Sequence, residues 1–223
     1  MFLMDNIIKL LDKYGYVFVN GLFGTLWMSL VVIAFGIVFG IIVALMRMGK
    51  SRILNLIANV FVEVIRGVPM LVQLYFFWLL FPRLFPFEVT DLTSIVVAFI
   101  VNATAYISEI IRAGIQAVDK GQWEAARSLG LSEKNVFIKI ILPQAIKNIL
   151  PALCNEFIST IKGTSLASVF FLNELTTAYK SVASATFLAL ESLIISGIIY
   201  LILNVTLSKL VSILERRLQA SDR

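Results

Sequence analysis

Charged side chains inside long apolar runs are the residues of this sequence best placed to do chemistry. A charge in lipid costs about 2.5–3.5 kcal/mol on insertion scales, so it normally faces a cavity or a partner. The run from Leu92 to Val118 carries Asn102, Tyr106, Glu109 and Arg112. At about 100° per helical residue the first three fall within about 60° of one another, with Arg112 a turn further on. The run from Ile53 to Phe81 carries Glu63, Arg66 and Gln73, and is interrupted by Gly67 and Pro69. Pro69 has no N–H to give residue 65. Irregular backbone at membrane depth is tolerated where it is buried in protein or lines water. Two chemistries fit these groups. In one, Glu109 meets an ammonium or a basic side chain, and Arg112 or Arg66 meets a carboxylate. In the other, Glu63 with Arg66 and Glu109 with Arg112, each spaced i, i+3, neutralise each other. In the stretch STIKGTSLAS, Gly163, Thr164 and Ser165 are poor interior helix residues, so a helix is expected to end or loosen there. The Thr164 and Ser165 hydroxyls could donate to a carboxylate. Lys162 either joins them or snorkels to the interface.

Other chemistries are absent from the sequence. There is no histidine, which removes imidazole metal ligands, imidazole general bases and histidine-activated nucleophiles. The single cysteine, Cys154, cannot form an internal disulfide. No clustered acids suggest a metal site, so no catalytic residue and no metal ligand is expected. A phosphate-binding loop needs G-x-x-x-x-G-K-[ST] after a strand. Gly49-Lys50-Ser51 matches its end, but Ala44 stands where the first glycine belongs, and the preceding run is apolar and helical in pattern. The chain is therefore expected to bind no nucleotide of its own.

The elements that must position these groups are membrane helices. Of the 223 residues, 59% are hydrophobic and only 15% charged. Soluble domains are nearer half apolar and a quarter charged. The net charge of +5 is scattered among apolar runs, so it argues for membrane topology and against nucleic acid. Five segments reach the roughly 20 apolar residues a crossing needs: about Val17–Met46, Ile53–Phe81, Leu92–Val118, Ile140–Ile161 and Thr186–Leu207. Residues 1–16 have mixed charge, no cleavage site and amphipathic spacing, and are read as an interfacial helix. Residues 17–217 form one membrane domain and 218–223 a tail. Eleven basic residues lie in the first loop, the third loop and the C-terminal tail, against four on the alternate side. The excess predicts those three segments in the cytoplasm and the N-terminus outside. The expected fold is all-α, with about five transmembrane helices.

The third loop, residues 119–139, is a charged island between greasy runs. Asp119 with Gln122 three residues on has the spacing of a capping box. Good helix formers follow to Leu129, Gly130 suits a helix C-terminus, and Ser132 can cap the next helix. Glu124-Ala125-Ala126, three residues, Gly130, nine residues, then Ile140-x-Leu142-Pro143 resembles the cytoplasmic loop motif of ABC importer permeases. RGVPMLVQL at 66–74, AYISEIIRAGIQAV at 105–118, LPQAIKNILPALCNEFI at 142–158, KGTSLAS at 162–168 and ERR at 215–217 extend the likeness over residues 20 to 217, to the polar amino-acid uptake permeases.

The resemblance implies a mechanical role. Glu124, Ala125, Ala126, Arg127, Gly130 and Leu131 would form a coupling helix and corner that docks on a cytoplasmic ABC ATPase subunit. That partner would hold the ATP and magnesium. The residue chemistry makes Asn102, Tyr106, Glu109, Arg112, Arg66, Gln73, Lys162, Thr164 and Ser165 candidates for the path of a polar amino acid, with Glu109 tilting the choice towards basic or amide side chains, and the resemblance suggests that the segment with Lys162, Thr164 and Ser165 lines the gate towards the outside. The implied partners are two ATPases, a second permease chain, identical or homologous, an external solute-binding protein and membrane lipid, in the bacterial cytoplasmic membrane. The alternative is an ion-gradient-driven secondary transporter, which would usually show inverted internal repeats; none is visible.

Overall fold

The computed structural model describes residues 2–220. Met1 and the tail residues 221–223, Arg223 among them, lie outside the described residues. Helices dominate, and no strand occurs among the described residues. They are α1 (Phe2–Met48), α2 (Arg52–Gly67), α3 (Met70–Leu80), α4 (Asp91–Gln116), α5 (Lys120–Ser128), α6 (Glu133–Val136), α7 (Leu142–Gly163), α8 (Leu175–Thr186) and α9 (Ala189–Ala220). Four stretches are each long and apolar enough to cross a membrane: Leu3–Met48, Asp91–Gln116, Glu133–Phe170 and Ala189–Leu218. α2 and α3 qualify together as a fifth, broken span. The expected five crossings are thus present as elements.

The break in the second span has a local cause. Val68 takes φ −104° and ψ 134°, the extended backbone that a following proline imposes. At the other end of α2, Ser51 accepts from the Leu54 N–H at 3.5 Å. α1 is a single helix of 47 residues, roughly 70 Å at the standard rise, well over a bilayer core. The connection from α7 to α9 is more elaborate than the sequence pattern suggests. α7 ends at Gly163, as its glycine and hydroxyl residues predict, and a 3-10 turn over Thr164–Phe170 and the helix α8 follow.

The chain resolves into two compact units. One combines the first part of α1, α3, the start of α4, the end of α7, α8 and most of α9. Its core gathers Leu10, Phe18, Leu175, Ala178, Val182 and Ile195. Glu174 is fully buried there and caps α8, accepting from the Thr176 N–H at 2.7 Å, the Thr177 N–H at 2.5 Å and the Tyr200 hydroxyl at 3.1 Å. The other unit combines the rest of α1, α2, the end of α4, α5, α6 and most of α7. Val118, Ala126, Val136, Ile141, Ala145 and Ile149 form its core. Within it α1 and α4 pack closely through Gly40, where an added Cβ would stand 2.7 Å from Ile107 Cγ2 and 3.0 Å from its Cβ. Overpacking of this kind costs about 1–3 kcal/mol. Gly40→Val is expected to lower the thermal midpoint of the detergent-purified chain by several degrees, measured by tryptophan fluorescence. An unchanged midpoint would mean that the two helices part freely.

Candidate polar cluster and docking helix

The end of α4 holds the densest charge arrangement. Glu109 Oε2 accepts from Arg47 Nη1 at 2.5 Å and from Arg112 Nε at 3.2 Å, and its Oε1 accepts from Arg112 Nη2. Arg66 Nη1 stands 3.9 Å from the same carboxylate, with its guanidinium 5.5 Å from the Tyr106 ring centre. Arg47 is the most buried member, its side chain 11% exposed. Arg47 Nε also donates to Asn59 Oδ1 at 2.8 Å, Asn59 Nδ2 donates to Asn55 Oδ1 at 2.7 Å, and Asn55 Nδ2 donates to the Arg47 carbonyl. Arg112 Nη1 reaches Gln116 Oε1 at 2.6 Å. One carboxylate therefore joins α1, α2 and α4 through three guanidiniums. The set is net positive, and both carboxylate oxygens are engaged.

This corrects part of the expectation. Arginines engage both oxygens of Glu109, which favours the ion-pairing reading of this carboxylate over the ammonium-binding one. Of the two i, i+3 pairs, Glu109 with Arg112 forms. Glu63 with Arg66 does not: Glu63 is exposed and in no ion pair among the described residues. Arg66 turns instead to Glu109 and Tyr106, where a stronger field awaits it. Arg47, Asn55 and Asn59 are not among the residues the sequence pattern singles out; Arg47 is one of the eleven basic residues assigned to the cytoplasmic side, in the first loop. Its signal was the position of Arg47 directly after the first apolar run, where the helix can continue and carry it.

Asn102 is half-buried in the same unit as Glu109. Gln73, Lys162, Thr164 and Ser165 belong to the other unit. Gln73 is buried and Lys162 exposed. The buried Thr164 hydroxyl donates to the Ile161 carbonyl at 2.8 Å, and the Ser165 hydroxyl to the Lys162 carbonyl at 2.7 Å. Both protons serve the end of α7, so neither is offered to a carboxylate. No group of three or more acids, cysteines or histidines able to hold a metal occurs among the described residues.

The island folds into a closed corner. Asp119 caps α5 by accepting from the Gly121 N–H at 2.6 Å. The second half of the capping box is absent, because the Gln122 side chain accepts instead from Gln144 Nε2 at 3.4 Å. Gly130 takes φ +79°. Its N–H donates to the Arg127 carbonyl at 2.9 Å, and the Leu131 N–H to the Ala126 carbonyl at 3.3 Å. This pair of bonds is the Schellman motif, and it requires a left-handed residue at this position. Ser132 stands at the start of α6 without a side-chain cap. Ala126 is buried among Val136, Ile141 and Ala145 and seats the helix on its own chain. Glu124 and Ala125 are exposed, Leu129 is 82% exposed, and Arg127 pairs with Glu133 at 2.8 Å. A π turn, Phe137–Ile141, precedes Pro143, with the Leu142 N–H reaching back to the Phe137 carbonyl. Such turns mark functional positions often enough to be noted.

Residues 36–220 match the family model described as the binding-protein-dependent transport system inner membrane component. The chain belongs to this family. A putative glutamine transport system permease protein, GlnP, of Rickettsia bellii (strain RML369-C) is 36% identical over 98% of this chain and 100% of its own length. The arginine transport system permease protein ArtQ of Bacillus subtilis (strain 168) is 37% identical over 91% of this chain and 93% of its own. A crystal structure of an amino acid ABC transporter with histidines contains a chain 42% identical to this one. The likeness has a TM-score of 0.89 and covers 93% of this chain and 96% of that one. As a member of this family the protein is an ABC transporter permease subunit and not itself an enzyme; the ATPase is a separate subunit.

The permease's cluster gives a measurable coupling. Removing one partner of a buried pair strands the other charge, at a cost of about 3–5 kcal/mol when burial is complete. Here the groups are partly exposed, and about 2 kcal/mol is expected for Glu109→Gln. Arg47→Met in that background should recover much of the loss, giving a coupling of at least about 1 kcal/mol in a double-mutant cycle read from thermal unfolding. Additive effects would show that the two side chains meet without consequence.

Proposed function

We propose that this permease lines the translocation path of an ATP-driven importer of a polar amino acid. The observation that carries the reading is the 42% identity, along 93% of the chain, to a solved amino acid ABC transporter. The names of the glutamine and arginine permeases above support an amide or basic substrate. Because arginines engage Glu109, recognition of a substrate's positive group falls to other residues of the path. The net positive cluster around it favours a carboxylate at that end. Asn102, Tyr106, Arg66, Gln73, Lys162, Thr164 and Ser165 remain candidates for the path.

In this reading a second permease chain completes the path, and an external binding protein delivers the substrate. Two cytoplasmic ATPases, holding ATP and magnesium, supply the motion in a bacterial cytoplasmic membrane. Residues 1–16 lie at the interface, 17–217 form the membrane domain and 218–223 the tail. The loop 119–139 faces the cytoplasm, where Glu124, Ala125, Arg127 and Leu131 meet the ATPase. Ala126 and Gly130 hold the angle at which they do so. Force on α5 passes directly into α4 through Asp119 and into α7 through the π turn.

Two outcomes test this directly. In a cysteine-free background, Lys120→Cys is expected to react with a membrane-impermeant thiol reagent only from the cytoplasmic side, and Phe87→Cys only from outside; the reverse pattern overturns the orientation. A Cβ added at Gly130 meets no atom within 4 Å, so the penalty of Gly130→Val is chiefly backbone strain of about 1–2 kcal/mol in an exposed corner. The variant should insert at normal abundance and co-purify with the ATPase. In reconstituted vesicles it should lose most uptake of labelled glutamine or arginine, and most stimulation of ATPase activity by loaded binding protein. Parental coupling would reduce the island to a connector. Uptake of neither class by the parent complex would refute the substrate assignment.

A further inference from the structure

Between α1 and α2 lies a cavity of about 380 Å³ lined by Lys50, Ser51, Arg52, Asn55, Leu56 and Asn59. Its charge is one-sided. Neither Lys50 nor Arg52 is in an ion pair among the described residues. Arg47, in the last turn of α1 beside it, shares Glu109 with Arg112 and Arg66. The back wall is organised, because the Asn55 and Asn59 amides are fixed by each other and by Arg47.

The surroundings of the cavity are apolar. Leu45, one turn before the end of α1, and Ile53, Leu56 and Ile57, in the first two turns of α2, are all exposed, Ile53 at 72% and Leu56 at 65%. On helices that cross a membrane such side chains face hydrocarbon. The cavity therefore combines a basic polar recess with a lipophilic flank at the end of two consecutive spans. Basic pockets between membrane helices are where anionic headgroups bind. A free phosphate would satisfy the cations and leave the flank unused; a zwitterionic lipid would use the flank and bring its own cation into a positive recess.

We propose that this recess is a binding site for an anionic phospholipid, with the phosphate between Lys50 and Arg52 and the acyl chains along Leu45, Ile53, Leu56 and Ile57. The site stands apart from transport, and its occupancy is readable without ATPase, binding protein or substrate. It therefore stands or falls separately from the proposed function.

The test is lipid titration of the purified full-length permease, followed by native mass spectrometry. Phosphatidylglycerol is expected to bind at least tenfold more tightly than phosphatidylcholine. A basic residue near an anionic headgroup contributes roughly fivefold in affinity, so the double variant Lys50→Gln, Arg52→Gln should lose about twentyfold. Lys50→Gln alone should lose about fivefold. The charge-preserving Lys50→Arg should bind as the parent does and serves as the folding control. Millimolar inorganic phosphate should not displace the lipid. Equal binding of phosphatidylcholine, unchanged affinity in both glutamine variants, or full displacement by phosphate would each overturn the proposal.

Discussion

A carboxylate on a helix this apolar needs a charged partner, and Glu109 is answered by Arg47, Arg112 and Arg66 together. At an effective dielectric near 20, charges about 4 Å apart attract by about 4 kcal/mol, so the contacts at hydrogen-bond distance dominate. The consequence is architectural. Arg47 ends α1, Arg66 nears the end of α2, and Glu109 with Arg112 lies on the last turns of α4. These three helices can exchange partners only if the carboxylate does. The Asn55–Asn59–Arg47 bonds add a second, neutral tie between α1 and α2.

Helix breaks supply the complementary property. Pro69 divides the second span, Gly130 turns the island, and the π turn before Pro143 changes the helical spacing where α6 passes into α7. Each break has a chemical cause: a missing N–H, a left-handed φ, or a ladder bond lengthened to five residues. The helix α5 is closed at its C-terminal end by one of these breaks, the Gly130 turn. Its own core contact, Ala126, lies on the side opposite to exposed Glu124, so the helix is supported from behind while its outer face stays uncovered.

Much of this was legible along the chain. Spans follow from hydropathy because lipid forbids unsatisfied backbone. The α5 corner was readable because caps are local: Asp119 and Gly130 act within a few residues of themselves. Legibility failed where the partner was distant. Gln122 looked like half of a capping box, but Gln144 competes for it from α7. Glu63 and Arg66 have the right spacing for a pair, but Arg66 has a better offer across the unit. The hydroxyls of Thr164 and Ser165 looked available, yet the backbone of α7 takes their protons. The helix α8 was not foreseen, because it is too short to span, and its stripe of Leu175, Ala178 and Val182 is set among small and polar residues.

By itself the sequence determined the class of molecule, the number of apolar crossings, the helix breaks at Pro69, Gly130 and Gly163, and the family motifs of the island. All of these depend on composition or on neighbours within a turn or two. Only the tertiary structure decided which charges meet. Whether Glu109 faced a cavity, Arg112 or a residue 62 positions away was open until α1 came to lie against α4 through Gly40 and Ile107. Only packing separated Ala125 from Ala126, identical neighbours of which one is exposed and the other buried. The physical reason is the same in each case. Helix formation and membrane insertion are settled by local free energies, whereas ion pairing and burial depend on which side chains the chain brings together from a distance.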